Sequence, residues 1–325
     1  MRAVVISEAG GPEVLVLREV PEPSPQPHEV RVAVQAVGLN RADVLQRMGR
    51  YPAPPGVPSD IPGLEYSGVV EALGDAVQSW SEGDRVMGIV GGGACAEKLV
   101  VPADQLLPVP AGVELVAAAA IPEAFMTAWD ALLVQGELRS GETALIHAVG
   151  SGVGTAAVQL AHRQGARVVG TSRTPEKLER CRELGLDIGV VGAPDWWKGV
   201  LDALGEDRVD GILDLVGGSM LDGNLRVLAP RGRVVVVGLL GGARGEIALH
   251  RLLALRATLR GTVLRSRGAE EKAALARGFV REVLPGFEDG GLRPLIDNHV
   301  PMESIAEAHS ELEGNGTFGK LIVHW

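Results

Sequence analysis

The sequence predicts an α/β protein of two parts, an antiparallel β-barrel-like unit and a doubly wound parallel sheet, and three observations carry that expectation. The first is residues 143–161. There an apolar run, 144–148, passes through glycines into a segment with apolar residues at helical spacing: Val153, Ala156, Ala157, Leu160 and Ala161. The second is the texture after about residue 116, where strand-like and helix-like segments alternate. The third is residues 1–115, which hold short segments rich in β-branched residues, separated by turn signals. At 325 residues the chain is long for one core, so two domains are the default.

In the first part the strand-like segments are 4–6, 14–16, 29–37 and 68–73. Gly10-Gly11-Pro12, the prolines from Pro21 to Pro27, and Glu82-Gly83-Asp84 separate them. The proline-rich run 51–58 reads as a stiff loop. In the second part the expected strands are 143–148, 167–171, 209–215 and 232–238, with helices over 153–164, over 175–184 and up to Leu228. The tail from about 265 predicts a long helix over 269–284, a shorter one over 304–313 and a closing strand over 319–323.

The junction at 149–154 carries chemistry. A strand that turns sharply into a helix leaves unpaired N–H groups at the helix start. With the helix dipole they form an anion site suited to a pyrophosphate. Gly150 and Gly152 are the residues expected to take the turn's special backbone angles, and Gly154 lets the helix pack close to the sheet. Spaced by threes the run reads Ala148, Ser151, Gly154, short of the full glycine fingerprint for dinucleotides. A glycine turn of another α/β fold stays open on this pattern alone.

The next strand predicts the cofactor. No acid occurs between Thr155 and Pro175, and the strand ends Thr171-Ser172-Arg173, with Lys177 one turn into the following helix. A carboxylate there would hold a ribose 2′-hydroxyl, whereas Arg173 and Lys177 attract a 2′-phosphate. The reading is NADPH over NADH. The alternative is that both are ordinary solvated residues at a helix start.

Composition narrows the rest. A net charge of −10 and only 3% aromatic residues argue against nucleic-acid binding and base stacking. The first residues lack the apolar region of a signal peptide, and no apolar run approaching the ~20 residues of a membrane span is expected. Two cysteines, Cys95 and Cys181, form no pair motif, which fits a reducing cytoplasm.

Segments along the whole chain carry a resemblance. They include Gly10-Gly-Pro-Glu-Val14, Leu39-Asn-Arg-Ala-Asp43, Gln46-Arg-Met-Gly-Arg-Tyr51, Pro62-Gly-Leu-Glu-Tyr-Ser-Gly68 and Ala119-Ala-Ile-Pro-Glu-Ala124. To these add Ile146-His-Ala148 with Ser151-Gly-Val-Gly154, Leu264-Arg-Ser-Arg267 and Gly319-Lys-Leu-Ile-Val323. By these the sequence is similar to the zinc-independent medium-chain dehydrogenase/reductases, the zeta-crystallin-like NADPH quinone oxidoreductases, and within them the damage-induced subgroup. The resemblance implies a GroES-like β-barrel catalytic domain (1–115, completed by 265–325) and a Rossmann NADPH-binding domain (116–264), with the cofactor between them. It also implies a homodimer joined edge to edge through a strand at 257–264, and small quinone or enone substrates.

The resemblance also nominates residues. Tyr51 and Asn40 would face the nicotinamide end, Tyr51 donating its hydroxyl to the acceptor carbonyl and Asn40 orienting acceptor or cofactor. Thr127, Ser151, Val153, Gly238, Leu239 and Lys320 join them as cofactor contacts. From the residues alone Tyr51 could be a loop anchor, Asn40 a cap, Thr127 a locally satisfied helix side chain and Lys320 a solvated lysine. The tyrosine that relatives show near position 192 is missing from Val191-Gly192-Ala193-Pro194, which removes one leg of the phosphate site. Trp196 and Trp197 read as packing.

No metal is expected. The zinc-ligand positions of the alcohol dehydrogenase branch read Asn40 and, in the Gly-His-Glu site, Gly63-Leu64-Glu65. Two unclustered cysteines build neither kind of zinc site, and seven scattered histidines form no metal spacing. His147 reads as a hydrogen-bonded core residue. Without a Lewis acid, an electrophilic acceptor is favoured. Quinone reduction is the first expectation. Reduction of enones, 2-alkenals or enoyl thioesters, and a non-catalytic nucleotide-binding role, are the alternatives.

Overall fold

A computed structural model describes residues 1–192 and 194–325. The chain forms two compact units, Met1–Glu123 with Leu264–Trp325, and Ala124–Val263.

The first unit opens with a hairpin, β1 (Arg2–Ile6) against β2 (Leu15–Glu19). Its spine is β3 (Glu29–Gly38), followed by helix α1 (Arg41–Arg47), β4 (Glu65–Leu73), β5 (Arg85–Ile89), β6 (Lys98–Pro102) and β7 (Leu107–Pro108). Inward valines alternate along β3 (Val30, Val32, Val34), the period-2 pattern of a strand with one buried face. One edge of β3 pairs with β4. Its other edge is shared, with β6 along residues 29–33 and the final strand along 36–38. Register shifts in the β3–β4 ladder at Arg31/Val32 and Val34/Ala36 bend the sheet, as bulges do in barrels. The proline-rich loop at 51–58 contains no strand, as expected.

Two short helices follow, α2 (Leu115–Ala118) and α3 (Pro122–Trp129). The first unit extends to Glu123, eight residues past the boundary expected at 115. The reason is packing: Ala119 and Ala120 are buried in a small cluster with Ala36 and Ile322 of the same unit. The continuous run Leu115–Gln135 is, by length and composition, apolar enough to cross a membrane. This corrects the expectation that no such run exists. Most of it is buried in the protein, which is how a core helix passes that test.

The second unit runs β8 (Thr143–Ile146), α4 (Gly152–Arg163), β9 (Arg167–Ser172), α5 (Pro175–Arg182), β10 (Ile188–Val191), α6 (Trp196–Leu204), β11 (Val209–Asp214), α7 (Leu221–Val227), β12 (Leu228–Val236), α8 (Leu249–Leu255) and β13 (Thr258–Gly261). Among the described residues its sheet has the order β10-β9-β8-β11-β12-β13, all parallel. Strand order therefore reverses between β8 and β11, the switch point where doubly wound folds bind nucleotides. β8 is buried throughout, as a strand covered on both faces must be. The edge strand β13 lies in the expected 257–264 segment, and all four of its residues are exposed.

The chain returns to the first unit through α9 (Ala269–Glu282), α10 (Pro285–Glu288), β14 (Ile296–Pro301), α11 (Ile305–Glu313) and β15 (Lys320–His324). β15 runs antiparallel to β3, with Ile322 opposite Gly38. The sequence reading missed β14, which pairs with β15 although its residues are mostly exposed and polar.

Candidate active site

The functional groups fall into two sets, one in each unit. In the second unit the elbow between β8 and α4 is built as the pattern predicts, with one correction. The residue in the left-handed region is Ala148, at φ 52°; Gly150 and Gly152 are not. The strand end forces this: His147 donates its N–H to Leu213 O at 3.1 Å, Val149 donates to Thr171 O at 3.1 Å, and the bend falls on the residue between. An alanine there costs roughly 1–2 kcal/mol relative to a right-handed conformation.

Ser151 caps α4. Its hydroxyl accepts from Gly154 N at 3.1 Å and donates to Ala148 O at 2.8 Å. That uses the hydroxyl and leaves the first-turn N–H groups of Gly152 and Val153 as helix-end donors without an intrahelical acceptor. Gly154 is buried against the strand: a Cβ there would press on Ala148 O and lie 2.7 Å from Val149 Cα. The Lys177 stem crosses the same turn, since a Cβ on Gly150 would lie 2.7 Å from Lys177 Cδ. Ser172 is buried, its Oγ accepting from Thr174 N at 3.3 Å, and Arg173 is exposed at the end of β9. Elbow, Lys177 and Arg173 thus share one end of the sheet. The reading of the missing tyrosine includes Ala193, which lies outside the described residues.

Gly238 and Leu239 follow β12. Gly238 N approaches Asp214 O at 3.4 Å, and Leu239 is 58% exposed, unusual for a leucine. Thr127 in α3 carries a buried Oγ1 with no hydrogen-bond partner among the described residues. A buried hydroxyl left unpaired is costly, so the locally satisfied helix side chain is not what the structure holds. Together these groups fit a dinucleotide: helix-end donors, cations, an orphaned hydroxyl and a partly exposed apolar side chain.

Beneath the elbow lies a network the sequence reading saw only in part. His147 is fully buried, with Nδ1 2.8 Å from Thr171 Oγ1 and Nε2 2.8 Å from Asn224 Oδ1. Asn224 donates to Asp214 Oδ2 at 2.8 Å, and Asp214 Oδ1 accepts from Val216 N and Gly217 N, each at 2.8 Å. Burial holds the His147 imidazole below its ordinary pKa and hence neutral. This ties together the ends of three adjacent strands. Trp196 packs edge-on against His147, 4.7 Å between ring centres, and the Arg226 guanidinium stacks on Trp197 at 4.6 Å. Both tryptophans are packing residues, as read.

In the first unit the structure brings Asn40 and Lys320 together around a residue given no role, Glu65. Lys320 is 4% exposed, far from solvated. Its ammonium donates to Leu39 O at 2.7 Å and Asn40 Oδ1 at 2.8 Å, and pairs closely with the Glu65 carboxylate. Asn40 Nδ2 donates to Glu65 Oε1 at 2.9 Å and Gly38 O at 3.1 Å. Glu65 Oε2 accepts from Glu123 N at 2.9 Å. The side chains of Lys320 and Asn40 are thus spent on protein partners. Asn40 also begins α1: its N–H donates to Asp43 Oδ2 at 2.8 Å, and Gly63 N donates to Asp43 Oδ1 at 3.0 Å.

The charges here are out of balance. Burial pushes the Asp43 carboxyl up to about 6, opposed by those backbone donors. Burial, then the neighbouring Glu65, pushes the Glu123 carboxyl up to about 8. Tyr51 sits nearby in the same unit, half-buried, with the Arg265 guanidinium 4.6 Å from its ring centre. Arg265 is fixed by Gly91 O at 2.7 Å, Gln46 Oε1 at 2.5 Å and Tyr51 O at 3.3 Å. Burial raises the Tyr51 hydroxyl's pKa and keeps it a hydrogen-bond donor. Glu65, Asp43, Glu123 and Arg265 all lie in the segments that carried the resemblance. Their roles escaped because a single carboxylate or arginine has no sequence signal of burial.

Residues 26–111 match the family described as Alcohol dehydrogenase GroES-like domain, and residues 152–278 the family described as Zinc-binding dehydrogenase. A quinone oxidoreductase of Lama guanicoe is 33% identical over 99% of this chain and 97% of its own length. The chain belongs to the zeta-crystallin-like quinone oxidoreductase family of medium-chain dehydrogenase/reductases. Two solved structures agree. A Pseudomonas syringae pv. Tomato DC3000 quinone oxidoreductase is 30% identical with a TM-score of 0.89, covering 100% of this chain and 99% of its own. An NAD-dependent alcohol dehydrogenase is 33% identical with a TM-score of 0.89, over the full length of both chains. Membership makes this protein an oxidoreductase that uses a nicotinamide cofactor, built from a GroES-like and a Rossmann domain.

Proposed function

We propose that the protein reduces quinones with NADPH by hydride transfer that needs no metal. The carrying observation is the end of β9: an acid-free strand terminus where Arg173 is exposed and the Lys177 stem crosses the glycine elbow. Gly150 and Gly152–Gly154 would hold the pyrophosphate, with Ser151 acting through its cap and Val153 through its N–H. Ser172, Arg173 and Lys177 would hold the 2′-phosphate, and Thr127, Gly238 and Leu239 the nicotinamide half. Asn40 and Lys320, with their side chains engaged, would act by shaping the acceptor end. The relatives' name supports quinone as the acceptor.

NADPH, when bound, supplies the hydride. What the chain's own residues must do is orient the acceptor and stabilise charge on its oxygen. Tyr51 would donate its hydroxyl to that oxygen, its ring held by Arg265. The donor set supports chemistry without zinc. Leu64 offers no ligand atom, the Asn40 amide is engaged, and among the described residues no three His, Cys, Asp or Glu side chains are grouped to hold a metal. Stoichiometric zinc in elemental analysis would overturn that part. Enones are the second acceptor class, favoured by the protonated carboxyl of Glu123, because a carbon centre needs a proton too. The exposed edge of β13 supports a homodimer, and a monomeric mass in sedimentation would refute it. Work in the cytoplasm and independence from nucleic acid and membrane complete the reading.

The direct test is consumption of NADPH and NADH with a panel of small quinones and 2-alkenals. Arg173→Glu should raise KM for NADPH roughly 10- to 100-fold and leave NADH nearly unchanged, since a charge-assisted bond worth about 1.5–3 kcal/mol becomes a repulsion. Equal effects on both cofactors would remove Arg173 from the phosphate site. Tyr51→Phe should lower kcat/KM by about 100-fold at unchanged NADPH affinity, the usual cost of one lost oxyanion donor. Unchanged turnover would make Tyr51 a loop anchor.

A further inference from the structure

Three carboxyl groups and one ammonium are gathered in the first unit, and they are not equivalent. Glu65 is saturated: Lys320 and Asn40 serve one oxygen and Glu123 N the other. Asp43 is saturated by two backbone N–H groups. The Glu123 carboxyl has no hydrogen-bond or ion-pair partner among the described residues, and it is half-buried at the start of α3. A carboxylate kept for structure is normally tied down by donors, as its two neighbours are. Lys320 already serves Glu65, so the lowest-cost state of the cluster leaves a proton on the one carboxyl without donors.

From this arrangement we infer that Glu123 is the proton donor of the reductase, the acid that neutralises the acceptor oxygen once hydride has been added. The inference rests on the reductase reading above. Hydride addition moves two electrons to the quinone and leaves one oxygen as an anion. The Glu123 O–H bond breaks, the proton goes to that oxygen, and the hydroquinone leaves. The Glu123 carboxylate then recovers a proton from water, which its partial exposure permits. Tyr51 holds the oxygen and Glu123 neutralises it; their charges interact, as those of Glu123 and Arg265 do.

The groups facing Glu123 set its working range. Glu65 and Asp43 favour the protonated form, while Lys320 and Arg265 favour the charged one. Lys272, on α9, is itself coupled to Glu123 and held below the ordinary lysine value by burial and Arg265. Burial and the carboxylates prevail, so the acid stays loaded up to about pH 8. Asp43 titrates near 6, about two units lower, so the two steps separate.

The test has two arms. Infrared difference titration of the protein alone should show a carboxylic-acid carbonyl band at pH 7 that is lost with a midpoint of about 8 and is absent from Glu123→Gln. In steady-state kinetics the wild-type kcat/KM should fall above about pH 8. Glu123→Gln should lose about 100-fold in kcat at unchanged NADPH affinity and lose that descending limb, the usual scale for a missing general acid. Glu123→Asp should recover the limb and part of the rate. A band that survives in Glu123→Gln, or a Gln variant with wild-type kcat, overturns the inference. If the band titrates as stated but no acceptor is reduced, the reductase reading itself has failed, and the proton has no recipient.

Discussion

Replacing Lys320 by methionine is expected to destabilise the protein by about 3–5 kcal/mol, the largest single loss at this site. Lys320 is 4% exposed and Glu65 is not exposed at all, so the substitution leaves a buried carboxylate without its counter-charge. Methionine fills most of the volume, so cavity formation is a minor part of the cost. Asn40 Oδ1 and Leu39 O lose their donor as well. The check is a double-mutant cycle by urea denaturation. Glu65→Gln alone should also be costly, whereas Lys320→Met with Glu65→Gln should recover part of the loss, because no buried charge is left uncompensated. The recovery is partial because the single amide oxygen can accept from only one of Asn40 and Glu123 N, which bond opposite carboxylate oxygens. Strictly additive losses would show that the two residues do not act as a pair. The variant also bears on the proton-donor reading. Lys320 opposes the upward shift of Glu123, so its removal should move the descending limb of the pH profile to higher pH.

How much of this was legible in the sequence depended on distance along the chain. The elbow could be read because strand, turn and helix lie within 143–161, and Ser151 capping Gly154 is a local contact. Even there the strained residue was misassigned to the glycines. Which residue takes φ 52° depends on Leu213 and Thr171, acceptors on neighbouring strands. The end proposed to meet the acceptor was legible only as a set of names. Asn40 and Lys320 are 280 positions apart and meet because β15 returns antiparallel to β3, with Ile322 against Gly38. Burial then turns a lysine that reads as solvated into the counter-charge of Glu65. Gly38 makes room for that meeting, since a Cβ there would press on Ala119 O and the Glu65 carboxylate. Glu123 was invisible for the same reason. Its proton follows from the company of Glu65 and Asp43, which a linear pattern does not record.

Gly154→Ala should destabilise the second unit by about 1–3 kcal/mol, although alanine is the better helix former by about 1 kcal/mol, and should weaken NADPH binding more than tenfold. The obstacle is backbone. The added methyl would press on Ala148 O and lie 2.7 Å from Val149 Cα and 2.8 Å from its carbonyl carbon, atoms that no side-chain rotation can clear. The start of α4 must then move away from the end of β8. That breaks the Ser151 Oγ contacts to Gly154 N and Ala148 O, and turns the N–H groups of Gly152 and Val153 away from the position proposed for the pyrophosphate. Gly150→Ala is the matched control. Its added methyl meets the Lys177 stem at 2.7 Å, a side chain that can swing aside, so stability should hold within about 0.5 kcal/mol. Thermal melts with and without NADPH separate the outcomes. Gly154→Ala should melt lower and lose most of the ligand-induced rise in Tm, whereas Gly150→Ala should melt near wild type with a reduced rise for NADPH only. If both variants melt alike and bind alike, close packing of α4 on the strand is not what holds the phosphate site open.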